Sequence, residues 1–152
     1  ESLIVVPPAG VDDVPRQRDW ACAMALETEH KQLDPATVEA GIRAVLDEPG
    51  RGAYLVAEHH GEAAGTLMLT YEWSDWRNGD WWWIQSVYVD PAFRRRGCYA
   101  ALYEHVLERA KATPEVCGLR LYVERDNSIA QKTYEGLGMV DAGYRMYEAP
   151  TR

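Results

Sequence analysis

The sequence predicts an α/β domain in which a mixed, mostly antiparallel sheet of about six to seven strands is flanked by about four helices. Three observations support this fold class. Two segments with helical spacing open the chain, alternating segments joined by tight turns fill its middle, and a β-branched strand then leads directly into a long amphipathic helix. A chain of 152 residues is large enough for one hydrophobic core, so we expect a single domain over residues 1–152.

Two helices are expected before the main part of the sheet. Residues from Asp13 to Glu29 carry apolar side chains at helical spacing, with an aspartate placed as the N-cap. Asp34-Pro35 is typical of a helix start, and this second helix should stop near Pro49-Gly50. Ahead of both, the apolar residues from Leu3 to Val6 predict a short edge strand.

The middle of the chain predicts an antiparallel meander. Strands from Ala53 to Glu58 and from Ala63 to Glu72 flank a tight turn at His60-Gly61-Glu62. Asn78-Gly79 is the strongest short hairpin signal, and it returns the chain into a strand from Trp81 to Val89. Simple alternation would place all odd-numbered residues of this strand on one face.

The remaining elements follow in order after this strand. A helix is expected from Gly97 to Thr113, a strand from Leu119 to Glu124, and a helix from Ser128 to Leu137. Two short strands, from Met139 to Ala142 and from Tyr144 to Glu148, should complete the sheet.

The junction between the Trp81–Val89 strand and the next helix is the best candidate for an anion site. Arg94, Arg95 and Arg96 precede Gly97, where the helix begins. The free N–H groups of a helix start, the positive end of its dipole and three arginines would together suit a pyrophosphate. The alternative is an ordinary turn with a solvated run of charge.

Composition excludes several classes of protein. The net charge of −8 argues against a nucleic-acid partner, and no apolar run reaches the ~20 residues that span a membrane. Cys22, Cys98 and Cys117 are odd in number and far apart, so neither a metal site nor a disulfide framework is expected. Free thiols fit a cytoplasmic protein.

Two motifs in sequence resemble the GNAT superfamily of N-acetyltransferases. The first is the turn Arg94-x-x-Gly97, in which Tyr99 stands where the family has Gly or Ala. The second is Asn127-x-x-Ala130-x-x-x-Tyr134-x-x-x-Gly138, which follows the next strand. The similarity extends from about Ala53 to Tyr147, and the order and separation of the two motifs make it specific.

The resemblance implies acetyl-CoA as the cofactor and assigns its contacts. The Val87 N–H would hold the acetyl carbonyl and stabilise the oxyanion, and Val89 would pair with the pantetheine arm. Tyr134 would be the general acid that protonates the leaving thiolate. The full set of expected cofactor contacts is Val87, Tyr88, Val89, Arg94, Arg95, Arg96, Gly97, Cys98, Tyr99, Ala100, Asn127, Ala130 and Tyr134.

The acceptor side is less well defined by the sequence. Relatives that carry a glutamate on the fourth strand would have it near Trp83, where this chain has no acid. Glu72 is the candidate catalytic base, with Glu27, Glu29 or a water chain as alternatives. The expected substrate contacts are Glu27, Glu29, Trp83 and Gln85.

Five of the six tryptophans lie in one hairpin, between Trp73 and Trp83. They could form an aromatic wall for a cationic substrate, or they could pack the core and contact a second copy in a homodimer. The overall acidity and this hairpin favour a small cationic amine as the acceptor, acetylated by direct attack in a ternary complex. The alternatives are a protein N-terminus or lysine as acceptor, or a non-catalytic acyl-CoA sensor.

Overall fold

A computed structural model describes residues 4–152 of the chain. These residues group into two compact units, one ending at Leu121 and the other running from Tyr122 to Arg152. In the first unit the strands are β1 (Ile4–Val5), β2 (Ala53–His59), β3 (Glu62–Ser74), β4 (Gly79–Val89) and β5 (Val116–Arg120). Its helices are α1 (Val14–Glu29), α2 (Pro35–Asp47) and α3 (Cys98–Lys111).

The two helices that precede β2 begin and end at residues with clear local reasons. α1 follows Asp13, whose carboxylate accepts a hydrogen bond from the Gly10 N–H at 2.8 Å. The helix ends at Glu29, and the next residue, His30, is in the left-handed conformation with φ of 54°. Asp34 precedes α2, and its carboxylate accepts a hydrogen bond from the Thr37 hydroxyl at 2.6 Å. Each aspartate thus makes a local side-chain contact at the start of its helix, although neither carboxylate caps the helix by accepting from one of its backbone N–H groups.

The strands form one sheet in the order β1-β2-β3-β4-β5. Neighbours from β1 to β4 are antiparallel, and β5 joins β4 in parallel after the crossover through α3. The expected α/β class with a mixed, mostly antiparallel sheet is therefore confirmed. The expected count of six to seven strands is wrong for residues 4–152, which form five.

A β-bulge interrupts β4 between Ile84 and Ser86, where Gln85 has no partner on β3. The extra residue shifts the alternation of side chains by one position. Val87 consequently lies on the face of the sheet opposite to Trp83. The expectation that all odd-numbered residues of this strand share a face is wrong, because it assumed an unbroken strand.

Helices cover both faces of the sheet. α1 lies on the face of Tyr88, whose ring packs on Trp20 with the centroids 6.4 Å apart. α3 contacts all five strands and covers the opposite face, where Leu67, Leu69 and Ile84 are almost fully buried. The core therefore has two layers, with the end of β4 next to α1 on one side and α3 on the other.

The second unit is built around the helix α4 (Ser128–Gly136). Asn127 caps it, since its side-chain oxygen accepts a hydrogen bond from the Ala130 N–H at 3.1 Å. Gly138, with φ of 95°, then turns the chain away from the helix.

The two short strands expected after Gly138 are not formed, since residues 139–152 carry no helix or strand. A strand needs a neighbour for its backbone hydrogen bonds, and residues 122–152 contain no strand for them to pair with. In residues 4–152, no helix is long and apolar enough to cross a membrane.

Candidate active site

The second half of β4 presents backbone donors on one side. The Asp90 N–H donates to the Ala64 carbonyl of β3 at 2.8 Å, and alternate residues of an antiparallel strand face the same neighbour. The N–H groups of Val87 and Val89 therefore point away from β3. The Val89 carbonyl, on that same side, accepts a hydrogen bond from Arg94 Nε at 3.0 Å.

A gap opens beside these donors. The last β4–β5 pair is Trp83 with Arg120, so within the first unit the residues from Ile84 to Val89 pair with β3 alone. The parallel partner strand ends just where the bulge begins. The gap has the form of a slot into which an extended ligand could lay its own hydrogen-bonding groups against β4.

The turn after β4 has the geometry of an anion site. Asp90 ends the strand, and its carboxylate accepts a hydrogen bond from the Ala92 N–H at 2.9 Å. Arg95 and Gly97 then adopt left-handed conformations, with φ of 63° and 84°. Gly97 is the N-cap of the 14-residue α3, so the first-turn N–H groups of that helix are directed at the same place.

Arg94 is folded back onto the protein. Its Nη2 donates to Glu27 Oε2 at 2.9 Å, and its guanidinium lies 5.5 Å from the centre of the Tyr88 ring. The Tyr88 hydroxyl donates to the other oxygen of Glu27, at 3.0 Å. The hydrogen bond from Arg94, followed by that from Tyr88, holds the pKa of Glu27 below its ordinary value of 4.5. Glu27 was expected on the acceptor side, but its carboxylate is thus hydrogen-bonded to Arg94 in the turn after β4.

The other residues of the turn lie where a pyrophosphate could reach them. Arg95 and Arg96 are exposed and form no ion pair within residues 4–152, although Arg96 lies 5.5 Å from the Phe93 ring. Tyr99 and Ala100 are half-buried in the first turn of α3. Cys98 is only 2% exposed, and burial raises the pKa of its thiol above the ordinary 9.0. Two exposed cations therefore remain for an anionic ligand.

Glu72 lies on the same face of the sheet as Tyr88, the face on which α1 packs. Its side chain contacts residues of β4 and β5. Its Oε1 accepts hydrogen bonds from Trp83 Nε1 at 2.8 Å and from Arg120 Nη1 at 3.0 Å. The Trp83 hydrogen bond, assisted by Arg120, holds the pKa of Glu72 below 4.5. Beside it, Gln85 Nε2 donates to the Thr70 hydroxyl at 3.0 Å. Glu72, Trp83 and Gln85, expected at the site from sequence, are thus neighbours.

The tryptophans of the hairpin are divided between different roles. The Trp81 ring is occupied by the protein's own cations, since Arg120 lies 3.9 Å and Arg77 4.9 Å from its centre. Gly118 leaves room for this ring, because a Cβ there would come within 2.5 Å of it. Trp73 and Trp76 are exposed, at 61% and 90%. The face of Trp81 is therefore not open to a substrate cation.

Other expected site residues lie elsewhere. Glu29, at the end of α1, is exposed and pairs with Lys31 at 3.5 Å, so its carboxylate contacts none of the groups above. In the second unit, Asn127 is the cap of α4, and Ala130 and Tyr134 are half-buried on that helix. The spacing of these three matches the second sequence motif.

Comparison with known proteins identifies the family. Residues 16–139 match the acetyltransferase (GNAT) family. The chain belongs to this family. The resemblance seen in the sequence motifs is thereby confirmed.

Similar sequences and solved structures include acetyltransferases. Mycothiol acetyltransferases of Mycobacterium sp. strains JLS and MCS are 33% and 38% identical in alignments of 135 residues that cover 73% of this chain and 45% of each relative. The chain thus spans less than half the length of these curated relatives. A possible acetyltransferase from Clostridium difficile 630 is 38% identical, with a TM-score of 0.93 over 99% of both chains. An aminoglycoside N-acetyltransferase in complex with CoA has the same fold, at 17% identity and a TM-score of 0.78 over 100% of this chain and 97% of that one.

The geometry of the first unit fits the donor of this family. The left-handed Gly97 and the start of α3 suit the pyrophosphate, and the outward N–H groups of Val87 and Val89 suit the amide-containing pantetheine arm. Acetyl-CoA supplies an activated acetyl thioester. The residues named above would hold and orient that group.

Three features of the site were missed by sequence reasoning. The bulge in β4 had a signal in the sequence, because two consecutive polar residues, Gln85 and Ser86, separate the apolar Ile84 and Val87 and break strict alternation. The pairing of Glu27 with Arg94 and that of Glu72 with Arg120 had none, since each joins residues far apart in the chain.

Proposed function

We propose that the protein transfers an acetyl group from acetyl-CoA to a small amine that carries a second, cationic amino group. The observation that carries this proposal is the state of Glu72. Its carboxylate is anchored through one oxygen by Trp83 and Arg120, its pKa is lowered, and its side chain is 46% exposed. Within residues 4–152 its second oxygen accepts no hydrogen bond. An ionised, oriented and accessible carboxylate is suited to bind an ammonium group.

Glu72 serves in this proposal as a binding group, although the sequence suggested it as the base. A lowered pKa makes a carboxylate a weaker proton acceptor, and efficient bases have pKa values near the working pH. The reacting amine must be neutral to attack the thioester, so the group held by Glu72 is a second amine that stays protonated. The proton of the attacking nitrogen would leave through water.

The acetyl group would pass directly from donor to acceptor. Cys98 is the thiol nearest to the turn in sequence, but its burial and raised pKa keep it protonated, and a protonated thiol is a poor nucleophile. The Val87 N–H would stabilise the negative charge that develops on the acetyl oxygen. Tyr134, by its place in the second motif, would give its proton to the departing thiolate.

The names of similar proteins also favour a small-molecule acceptor. Two relatives are mycothiol acetyltransferases, and the aminoglycoside N-acetyltransferase is known in complex with a bisubstrate analogue of CoA and an acetylated neamine. The net charge of −8 adds a general preference for cations over anions. A peptide acceptor remains the competing outcome of the test below.

The test measures CoA release with a short peptide and with three primary amines of equal chain length: a diamine, an amino alcohol and an amino acid. We expect the highest kcat/KM for the diamine and the lowest for the amino acid. Glu72→Gln should lower kcat/KM for the diamine about three- to tenfold, the value of a hydrogen bond between charged groups in partial solvent, and change the amino alcohol little. Asp75→Asn, which removes an exposed charge from the same hairpin, is the matched control.

The pH dependence separates binding from base catalysis. Because the pKa of Glu72 lies below 4.5, the carboxylate is ionised throughout the neutral range. The rate should therefore rise with pH until the reacting amine has lost its proton, and Glu72→Gln should keep that profile. A loss of two or more orders of magnitude in kcat, which is typical for removal of a general base, would contradict the proposal. So would equal kcat/KM for the three amines, or activity only with peptides.

A further inference from the structure

Helix α1 contacts the turn that follows β4 (residues 90–97) at two points, which are seven residues apart along the helix. Trp20 Nε1 donates to Asp90 Oδ2 at 3.2 Å, and Glu27 accepts from Arg94 at 2.9 Å. Residues spaced by seven lie on the same side of a helix, so one side of α1 holds both ends of the turn. The second attachment includes Tyr88, which donates to the same carboxylate at 3.0 Å.

The turn needs external support because its backbone is not self-stabilising. Arg95 has φ of 63°, a left-handed conformation that is unfavourable for a non-glycine residue. Such conformations persist where surrounding contacts fix them. The residue directly before it, Arg94, is fixed by three contacts: the Glu27 carboxylate, the Val89 carbonyl at 3.0 Å and the Tyr88 ring at 5.5 Å.

We propose that Glu27 is a positioning residue for the donor site, which holds Arg94 so that the turn keeps the shape that binds the pyrophosphate. In this arrangement Arg94 is a structural cation of the turn, and the phosphates are left to the N–H groups of the turn and to Arg95 and Arg96. The sequence suggested Glu27 as a contact of the acceptor, and in this arrangement it has a different role. The inference rests on acetyl-CoA as the donor and is independent of the proposed acceptor.

The test is a binding measurement that needs no acceptor. Isothermal calorimetry would compare CoA with pantetheine, which has the same arm and thiol but no pyrophosphate. Glu27→Gln should weaken CoA binding about three- to tenfold, between the effect of an exposed ion pair and that of a hydrogen bond to a charged group, and leave pantetheine unchanged. Glu108→Gln, which removes the carboxylate of an exposed pair with Lys111 at 3.8 Å, is the control and should leave both affinities unchanged.

A double-mutant cycle tests whether Glu27 acts through Arg94. If Glu27 acts through Arg94, then Glu27→Gln and Arg94→Gln should each weaken CoA binding, and the double variant should be no weaker than the poorer single one. If Glu27 acted on the donor site independently of Arg94, the two losses of affinity would add. Tyr88→Phe, which removes only the hydroxyl that orients Glu27, provides a milder variant should Glu27→Gln fold poorly, and it should weaken CoA but not pantetheine.

Three results would overturn the inference. The first is tighter CoA binding in Glu27→Gln, because that would mean that the carboxylate merely competes with the phosphates for Arg94. The second is an equal loss of affinity for CoA and pantetheine, which would indicate a general structural effect. The third is additive losses in the double variant.

Discussion

Tyr88 has separate tasks for its backbone and its side chain. Its backbone belongs to the part of β4 that pairs with β3, while its hydroxyl donates to Glu27 at 3.0 Å. Burial, followed by the hydrogen bond to Glu27, raises the pKa of this phenol above its ordinary value of 10.0. The hydroxyl therefore remains a donor committed to Glu27.

By its place in the second motif, Tyr134 is the proposed general acid. Removing its hydroxyl group alone tests this assignment. Tyr134→Phe removes the hydroxyl while keeping the ring. We expect kcat to fall about 10²- to 10⁴-fold, the usual contribution of a general acid, with an unchanged Kd for CoA. Single-turnover rates and calorimetric affinities would measure the two quantities separately.

The control for this change is Tyr147→Phe, which removes a phenol hydroxyl from a residue that is 88% exposed in the same unit. It should leave kcat unchanged. A Tyr134→Phe variant with full turnover would mean that the thiolate leaves without a proton from this residue.

The sequence predicts residue types for the candidate site, because the two motifs fix their spacing along the chain. The partners of long charged side chains could not be predicted from it. Glu27 and Arg94 are 67 positions apart, and nothing in either local pattern favours that pair over a solvated carboxylate and a solvated arginine. Only the packing of α1 against the end of β4 brings them together.

At the scale of elements, the position of the slot beside β4 depends on how β3 holds the end of that strand. Gly65 pairs with Val89, and a Cβ at Gly65 would lie 2.7 Å from the Tyr88 carbonyl oxygen and 3.2 Å from Val89 Cα. Both are backbone atoms of β4, which cannot yield as a flexible side chain would. The close approach of the two strands therefore requires glycine.

Gly65→Ala should push the end of β4 away from β3. We expect the free energy of unfolding to fall by about 1–3 kcal/mol, as for other insertions of a methyl group into a packed site, measured by urea denaturation. Gly41→Ala is the matched control, because Gly41 lies in α2 with no atom within 4 Å of its added Cβ. That change should stabilise the protein by up to about 1 kcal/mol through helix propensity. A Gly65→Ala variant as stable as the parent would contradict the close approach.

The helices and the main strands followed from the sequence because their boundaries have local causes. Asp34-Pro35 begins α2 and Asn127 caps α4, as capping chemistry predicts. The strand expected from Leu119 to Glu124 forms instead as Val116–Arg120, since its parallel pairing with β4 determines which residues are included. Pairing partners of this kind are not encoded in a short stretch of sequence.

For the molecule as a whole, the start of α3 differs in charge from the rest of the acidic chain. The chain carries 16 basic and 24 acidic residues, yet Arg95 and Arg96 leave a local positive site at the start of α3. An anionic donor is thus repelled by most of the surface and attracted by this one site. The affinity for the donor should consequently depend on the salt concentration and on these two side chains.

CoA should stabilise the whole protein against heat. A ligand at 100 times its Kd adds about 2.7 kcal/mol to the free energy of unfolding, which corresponds to a rise in Tm of about 5–10 °C for a protein of this size. The rise should shrink in high salt and in the double variant Arg95→Gln/Arg96→Gln, since both weaken the attraction to the phosphates. Pantetheine, which has no phosphate, should give a smaller shift that neither salt nor the substitutions alter. Scanning calorimetry of the two ligands in low and high salt measures this, and equal shifts for CoA and pantetheine would show that the turn does not bind the pyrophosphate.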